Sequence, residues 1–112
     1  MRALFANPWV VLFLAGLLEV AWASGFKFAF RSNHLLTAFT VCAMAASFWL
    51  LSLAMRTIPV GTAYAVWTGI GAAGAAIVGV LLYREPFTAI RIASIVAIIG
   101  GVVGLRVSGG GH

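Results

Sequence analysis

The sequence predicts an all-α membrane protein with four transmembrane helices. Three observations carry that expectation. Of 112 residues, 63% are hydrophobic and only 8% are charged, with a mean hydropathy of +1.12. The apolar residues gather into four runs, at about 8–28, 35–55, 59–83 and 87–105, each close to the roughly 20 residues that cross a bilayer as a helix. Short segments with prolines and basic residues separate the runs. A soluble globule of this size has too little interior to hide so much apolar surface, so the composition calls for lipid as solvent. Four spans use roughly 80 residues. That leaves loops and tails around a single domain, 1–112, and no room for a soluble module.

The first run opens at Pro8, contains Glu19 and closes into the polar, basic stretch 27–34. Arg2, the apolar run and Ala21-Trp22-Ala23 imitate a cleavable signal peptide. Glu19 and Trp22 sit where small neutral residues are wanted, and Lys27 follows closely, so the run reads as a retained span. The second run ends at Arg56-Thr57-Ile58-Pro59, where Pro59 suits the start of the next helix. The third ends at Arg84-Glu85-Pro86. Glu85 reads as a structural acid at the N-terminus of the fourth helix, where the dipole favours it. The Gly-rich tail, 108–112, is expected to be disordered.

The net charge is +5 and the pI about 10.8. The seven basic residues, Arg2, Lys27, Arg31, Arg56, Arg84, Arg91 and Arg106, are scattered singly. No basic patch with interleaved aromatics exists, which excludes nucleic acid as the expected partner. Placed at the ends of the spans, they read as interfacial anchors in the lipid bilayer. Arg2, Arg56 and Arg106 fall on one side; Lys27, Arg31, Arg84 and Arg91 fall on the other. The positive-inside rule gives no clear orientation from so even a split. Two readings stay open: a weak bias that hides one orientation, or insertion both ways to give an antiparallel dimer. Cys42 is alone in an apolar run and reads as a core or lipid-facing residue. His34 and His112 lie in a loop and at the C-terminus, without partners at metal-ligand spacing. No cofactor or metal is expected. No nucleophile–base pair is visible, so an enzyme is not expected either.

Glu19 is the residue on which function is expected to turn. An ionisable group inside a span is costly and marks a substrate or proton pathway by default. The bland alternative is an interhelical ion pair, but all seven basic residues fall near predicted helix ends. Gly16, Glu19 and Trp22 share one helical face, with Gly16 opening space and Trp22 supplying an aromatic wall. Tyr64 and Trp67 share a face in the third span, with Gly71 a turn further, and Ser47 lies in the middle of the second near Trp49. A carboxylate among aromatic faces and hydroxyls describes a site for an organic cation; the alternative is that the aromatics serve packing. Trp9, near a helix start, reads as an interfacial belt residue.

Gly69-Ile70-Gly71-Ala72-Ala73-Gly74 matches G-x-G-x-x-G, but no strand precedes it and it lies in a span, so it does not mark a dinucleotide site. Small residues let helices approach and bend, which makes the third helix the candidate moving part. Gly100 and Gly104 form G-x-x-x-G. With Ser94 and Gly101 they give the fourth helix a small-residue face suited to pairing with another helix.

Three segments carry a resemblance: Ala15-Gly16-Leu17-Leu18-Glu19-Val20-Ala21-Trp22, Ser47-Phe48-Trp49-Leu50-Leu51, and 58–71, which begins Ile58-Pro59-Val60-Gly61-Thr62-Ala63-Tyr64 and ends Trp67-Thr68-Gly69-Ile70-Gly71. The chain resembles the small multidrug resistance transporter family over nearly its whole length. Trp22, the 67–71 run and Arg84-Glu85-Pro86 are similar to its guanidinium-exporter branch; the quaternary-ammonium branch usually lacks the tryptophan. The resemblance implies an antiparallel, dual-topology dimer in the bacterial inner membrane that exchanges protons for guanidinium or substituted guanidinium ions. Glu19 would bind proton or substrate in turn. Ser47 and Trp67 would hydrogen-bond or orient it, Gly16 would leave room beside it, Trp22 would line the site and Tyr64 would gate it. Gly69 and Gly71 would form the hinge. Ser94, Gly100, Gly101 and Gly104 would pair the subunits as a homodimer, although some relatives work as paired heterodimers. The family often has Gly-Phe-Thr after the first span. Here 29–34 replaces it. The rival readings are a broad exporter of quaternary ammonium ions and, from another class, a non-transporting subunit of a paired membrane complex.

Overall fold

The computed structural model of the chain describes residues 7–26 and 34–108. Those residues form four helices: α1 (Pro8–Gly25), α2 (His34–Ala54), α3 (Val60–Leu82) and α4 (Ala89–Val107). Each is long and apolar enough to cross a membrane. Described residues outside the helices lie in short turns and connections, and no strand occurs among them. The chain is an all-α, multi-pass membrane protein. Arg2, Lys27, Arg31, most of the 29–34 segment, His112 and the tail beyond Ser108 lie outside the described residues.

The helix starts follow local chemistry. Asn7 caps α1, its side chain accepting from the Trp9 amide at 3.0 Å, and Pro8 takes the first helical position, where its missing N–H is no loss. His34, expected in a loop, is the first residue of α2. Pro59 stands just outside α3, at φ −53° and ψ 142°. The fourth helix begins at Ala89 rather than 87, because the Thr88 hydroxyl accepts from the Arg91 amide at 3.2 Å and fixes the cap there. It runs on to Val107, past the expected 105, since no breaker intervenes before Ser108.

This start corrects the reading of Glu85. It lies in the α3–α4 connection ahead of the cap, not in the first turn of α4, and it pairs with Arg91. Arg91 also donates to the Ala76 carbonyl at 3.4 Å. Arg84 holds a left-handed backbone, φ 55°, and turns the chain so that the Tyr83 and Glu85 amides both reach the Gly79 carbonyl, at 3.0 and 3.1 Å. The Glu85 carboxylate then lies over Gly79, where a Cβ would collide with it. The acid's role here is structural, through an ion pair and a turn.

α1 packs between α2 and α3, and α4 packs along α3, reaching α1 where Arg106 lies over the Trp9 ring. The buried core is one cluster: Val11, Leu12 and Ala15 of α1, Leu50, Leu51 and Ala54 of α2, Ile58, and Ala63, Val66 and Trp67 of α3. It gathers where α1 begins, α2 ends and α3 begins, so one half of the bundle is tightly filled. Glu19 lies just past its edge, toward the other half. No residue of α4 is buried. Cys42 is exposed on α2, outside the core.

Candidate functional site

The α1–α3 seam is built by glycines on both helices. Placed on Gly16, a Cβ would lie 2.6 Å from Ile70 Cγ2. On Gly71 it would fall inside the Glu19 carboxyl, and on Gly74 inside the Val20 side chain. Each glycine is therefore a notch that receives a side chain from the facing helix, and the two backbones come close. The space beside the acid is made by Gly71 of α3, not by Gly16, which instead admits Ile70. The G-x-G-x-x-G run divides its work. Gly71 and Gly74 face α1, while a Cβ on Gly69 would press on Val102 of α4 at 2.6 Å. α3 is continuous through the run.

Glu19 is half-buried, and its Oε1 is buried without a hydrogen-bond partner. One turn further along α1, Trp22 Nε1 is buried and equally unpartnered. Ser24 Oγ, Thr40 Oγ1 and Arg91 Nε are also buried and unpartnered, and Glu19 Oε1 is the one carboxylate oxygen among these atoms. Each orphan costs about 1–3 kcal/mol relative to a satisfied group. Buried orphans are uncommon, and each one calls for an explanation such as a ligand or a functional role.

Ser47 and Trp67 do not bond the carboxylate. Trp67 Nε1 donates to Ser47 Oγ at 3.0 Å, and Ser47 Oγ donates to the Ala15 carbonyl at 2.7 Å. Ala15 is four residues before Glu19, so the carbonyl that Ser47 holds is the one that accepts the Glu19 amide in the helix ladder. The pair thus pins the backbone of the turn that carries the acid, and ties α2 and α3 to α1 in the core. Ser47→Ala should remove both bonds, at about 1–2 kcal/mol in total by the scale of interhelical bonds in membranes. Denaturant unfolding in mixed micelles should show that loss, and an unchanged midpoint would mean that these bonds do not hold the three helices together.

Aromatic rings continue from the acid across the bundle. Trp22 meets Phe48 edge-on at 6.2 Å between centroids. Phe48 lies 5.7 Å from Trp67, and Trp67 lies 5.6 Å from Tyr64. Tyr64, at 55% exposure, is the outermost. Phe48 bridges the two tryptophans, yet sequence reasoning gave it no role. Its position beside Ser47 is the only signal, and it has meaning only when three helices are assembled. Trp49 is exposed on the far side, 58%, away from the Ser47 bond. At the end of α1, Tyr83 donates to the Ser24 carbonyl and ties α3 to α1 beyond the acid.

The α4 residues stand apart from this site. Beside Gly100, Gly101 and Gly104 an added Cβ would meet nothing within 4 Å. Ser94 is exposed, with its hydroxyl turned back to the Ile90 carbonyl at 2.8 Å.

Residues 7–98 match the family model described as Small Multidrug Resistance protein. Proteins called guanidinium exporter from Citrobacter freundii and Salmonella typhimurium are each 52% identical over 101 residues, which is 89% of this chain and 96% of theirs. One of the same name from Escherichia coli strain K12 is 50% identical over the same shares. With the family model covering most of the chain and half of the aligned residues identical to those of these exporters, the chain belongs to the small multidrug resistance family.

Proposed function

We propose that the protein is a proton-coupled antiporter that exports guanidinium and substituted guanidinium ions. The observation that carries the reading is the Glu19 carboxyl, set in a membrane span against Gly71 with a buried, unpartnered oxygen. Guanidinium is planar and permanently charged, and its N–H groups match a carboxylate bidentately. It supplies both the charge and the donors that Glu19 lacks. The name shared by relatives at 50–52% identity supports the same substrate.

Export then follows from competition. A protonated Glu19 carries no charge and releases the cation, while a deprotonated one binds it. If the empty, charged site seldom changes face, each cation leaves against an entering proton. Trp22 Nε1, one turn away, is the donor available to hold the carboxylate. The rings of Trp22, Phe48, Trp67 and Tyr64 supply π faces to the cation, with Tyr64 at the outer edge as gate. Gly69 and Gly71 supply the flexibility for α3 to bend between faces.

The working unit is an antiparallel, dual-topology homodimer in the bacterial inner membrane, with each copy forming one domain. Two features support pairing through α4: that helix packs chiefly on α3, and its glycine face is uncovered. The aromatic series also favours a second reading, a broad exporter of quaternary ammonium ions. The carboxylate notch distinguishes the two, because it suits a small planar donor better than a bulky ion without N–H groups.

The direct test of a shared site is guanidinium binding to the purified protein at a series of pH values. Apparent affinity should weaken about tenfold for each unit of acidification once the acid is mostly protonated, as expected for one proton competing with one cation. An affinity indifferent to pH would exclude competition at a single carboxyl. Tighter binding of tetraalkylammonium than of guanidinium would move the protein to the second reading.

A further inference from the structure

A second site lies on the other flank of the bundle. α1, α3 and α4 form an open groove of about 490 Å³, lined by Trp9, Phe13, Ile70, Ile77, Ile99 and Val103. Its lining is apolar except at one end, where Arg106 enters. There the guanidinium sits 4.8 Å from the Trp9 ring centroid, a cation–π geometry that fixes its position. Arg106 meets neither of the chain's two acids. Glu85 is taken by Arg91, and Glu19 lies against Gly71.

We propose that this groove binds an anionic phospholipid, with one acyl chain between the helices and the phosphate on Arg106. Length agrees. The α3 wall runs from Val66 to Ile77, a rise of about 16 Å at 1.5 Å per residue. Half of the roughly 30 Å hydrocarbon core is about 15 Å, so the groove is long enough to hold most of one acyl chain. Depth agrees too. Trp9 begins α1 and Arg106 nearly ends α4, which places ring and charge together at one membrane interface, where such side chains meet headgroups.

Charge and helical phase exclude the other occupants. A transported cation would meet a fixed positive charge and no carboxylate. On α4, the groove residues Ile99, Val102, Val103 and Arg106 lie on one face, whereas Ser94, Gly100, Gly101 and Gly104 lie roughly opposite at 3.6 residues per turn. A second copy seated on the small-residue face leaves the groove open to lipid. The site is separate from Glu19, so the inference stands or falls independently of guanidinium export.

Native mass spectrometry of the full-length protein, extracted in mild detergent with equimolar palmitoyl-oleoyl phosphatidylglycerol and phosphatidylcholine, tests it. The wild type should retain about one phosphatidylglycerol per protomer, with at least a tenfold preference over phosphatidylcholine. Arg106→Gln, at an exposed position, should erase the preference. Val103→Trp, which fills the groove from a position 54% exposed, should reduce retention of both lipids at least fivefold. Both variants should elute with the wild-type oligomeric state. Equal retention of the two lipids by the wild type, or a preference that survives Arg106→Gln, would overturn the proposal. So would efficient disulfide cross-linking between copies through Val103→Cys in a Cys42→Ser background, since the groove would then be covered by a second chain.

Discussion

Glu19→Gln should abolish guanidinium-driven proton movement while leaving the protein folded. The substitution keeps the side chain's shape and removes only its ability to carry charge and exchange a proton. Hydrogen bonds to a charged group contribute about 1.5–3 kcal/mol, so guanidinium binding should weaken roughly ten- to a hundredfold. Proton coupling should fall to the level of protein-free liposomes, because no second acid occupies the bundle. Folding should persist: the carboxyl has an orphaned oxygen, and no ion pair is lost with it. Glu85→Gln is the matched control. It breaks a partly exposed pair with Arg91, worth less than about 1 kcal/mol, and should retain most of the exchange. Internal pH and the gel-filtration profile, measured on both variants, separate the two acids. A Glu19→Gln protein that still coupled guanidinium to protons would remove Glu19 from the mechanism.

Gly71→Ala should be nearly as severe, for a different reason. The added methyl occupies the space of the Glu19 carboxyl, and neither backbone can retreat without opening the seam held by Gly16 on Ile70 and Gly74 on Val20. The carboxyl is the more mobile partner and would swing away. The expected result is at least tenfold weaker guanidinium binding with stability close to wild type. Gly74→Ala meets only the apolar Val20 side chain, so it should cost stability, about 1–3 kcal/mol of overpacking, with a smaller effect on binding. Gly61→Ala meets nothing within 4 Å and gains helix propensity, up to about 1 kcal/mol. Binding and denaturant unfolding on the three variants distinguish a notch for the acid from general helix packing. Equal losses of binding in Gly71→Ala and Gly74→Ala would remove the special role of Gly71.

The four spans were legible in the sequence because composition and run length alone dictate them in lipid. Their ends were less so. α4 starts two residues later than the apolar run, since a hydrophobic count sees Phe87 but not the Thr88 side chain reaching the Arg91 amide. Glu85 was readable as structural, yet its partner was not, because the turn that brings Arg91 to it depends on the left-handed backbone at Arg84. Glu19 stood out as the one acid within a span. Its surroundings did not. Helical spacing pairs Gly16 with Glu19 along α1, but the space it needs is supplied across the seam by Gly71. Ser47 was found as a hydroxyl in an apolar run and Trp67 as an aromatic on the face of Tyr64, while their real bonds, to each other and to the Ala15 carbonyl, follow from the approach of three helices. Phe48 carried no sequence signal of its own, because aromatic residues are common in spans and only its contacts with Trp22 and Trp67 set it apart.

The central claim is exchange of guanidinium for protons at Glu19. The most direct measurement is internal pH in proteoliposomes across which a guanidinium gradient is imposed without an initial pH gradient. Protons should move opposite to guanidinium, in proportion to the gradient, and Glu19→Gln vesicles should show no such movement. Guanidinium crossing with no change in internal pH, or proton movement evoked by tetraalkylammonium but not by guanidinium, would contradict it.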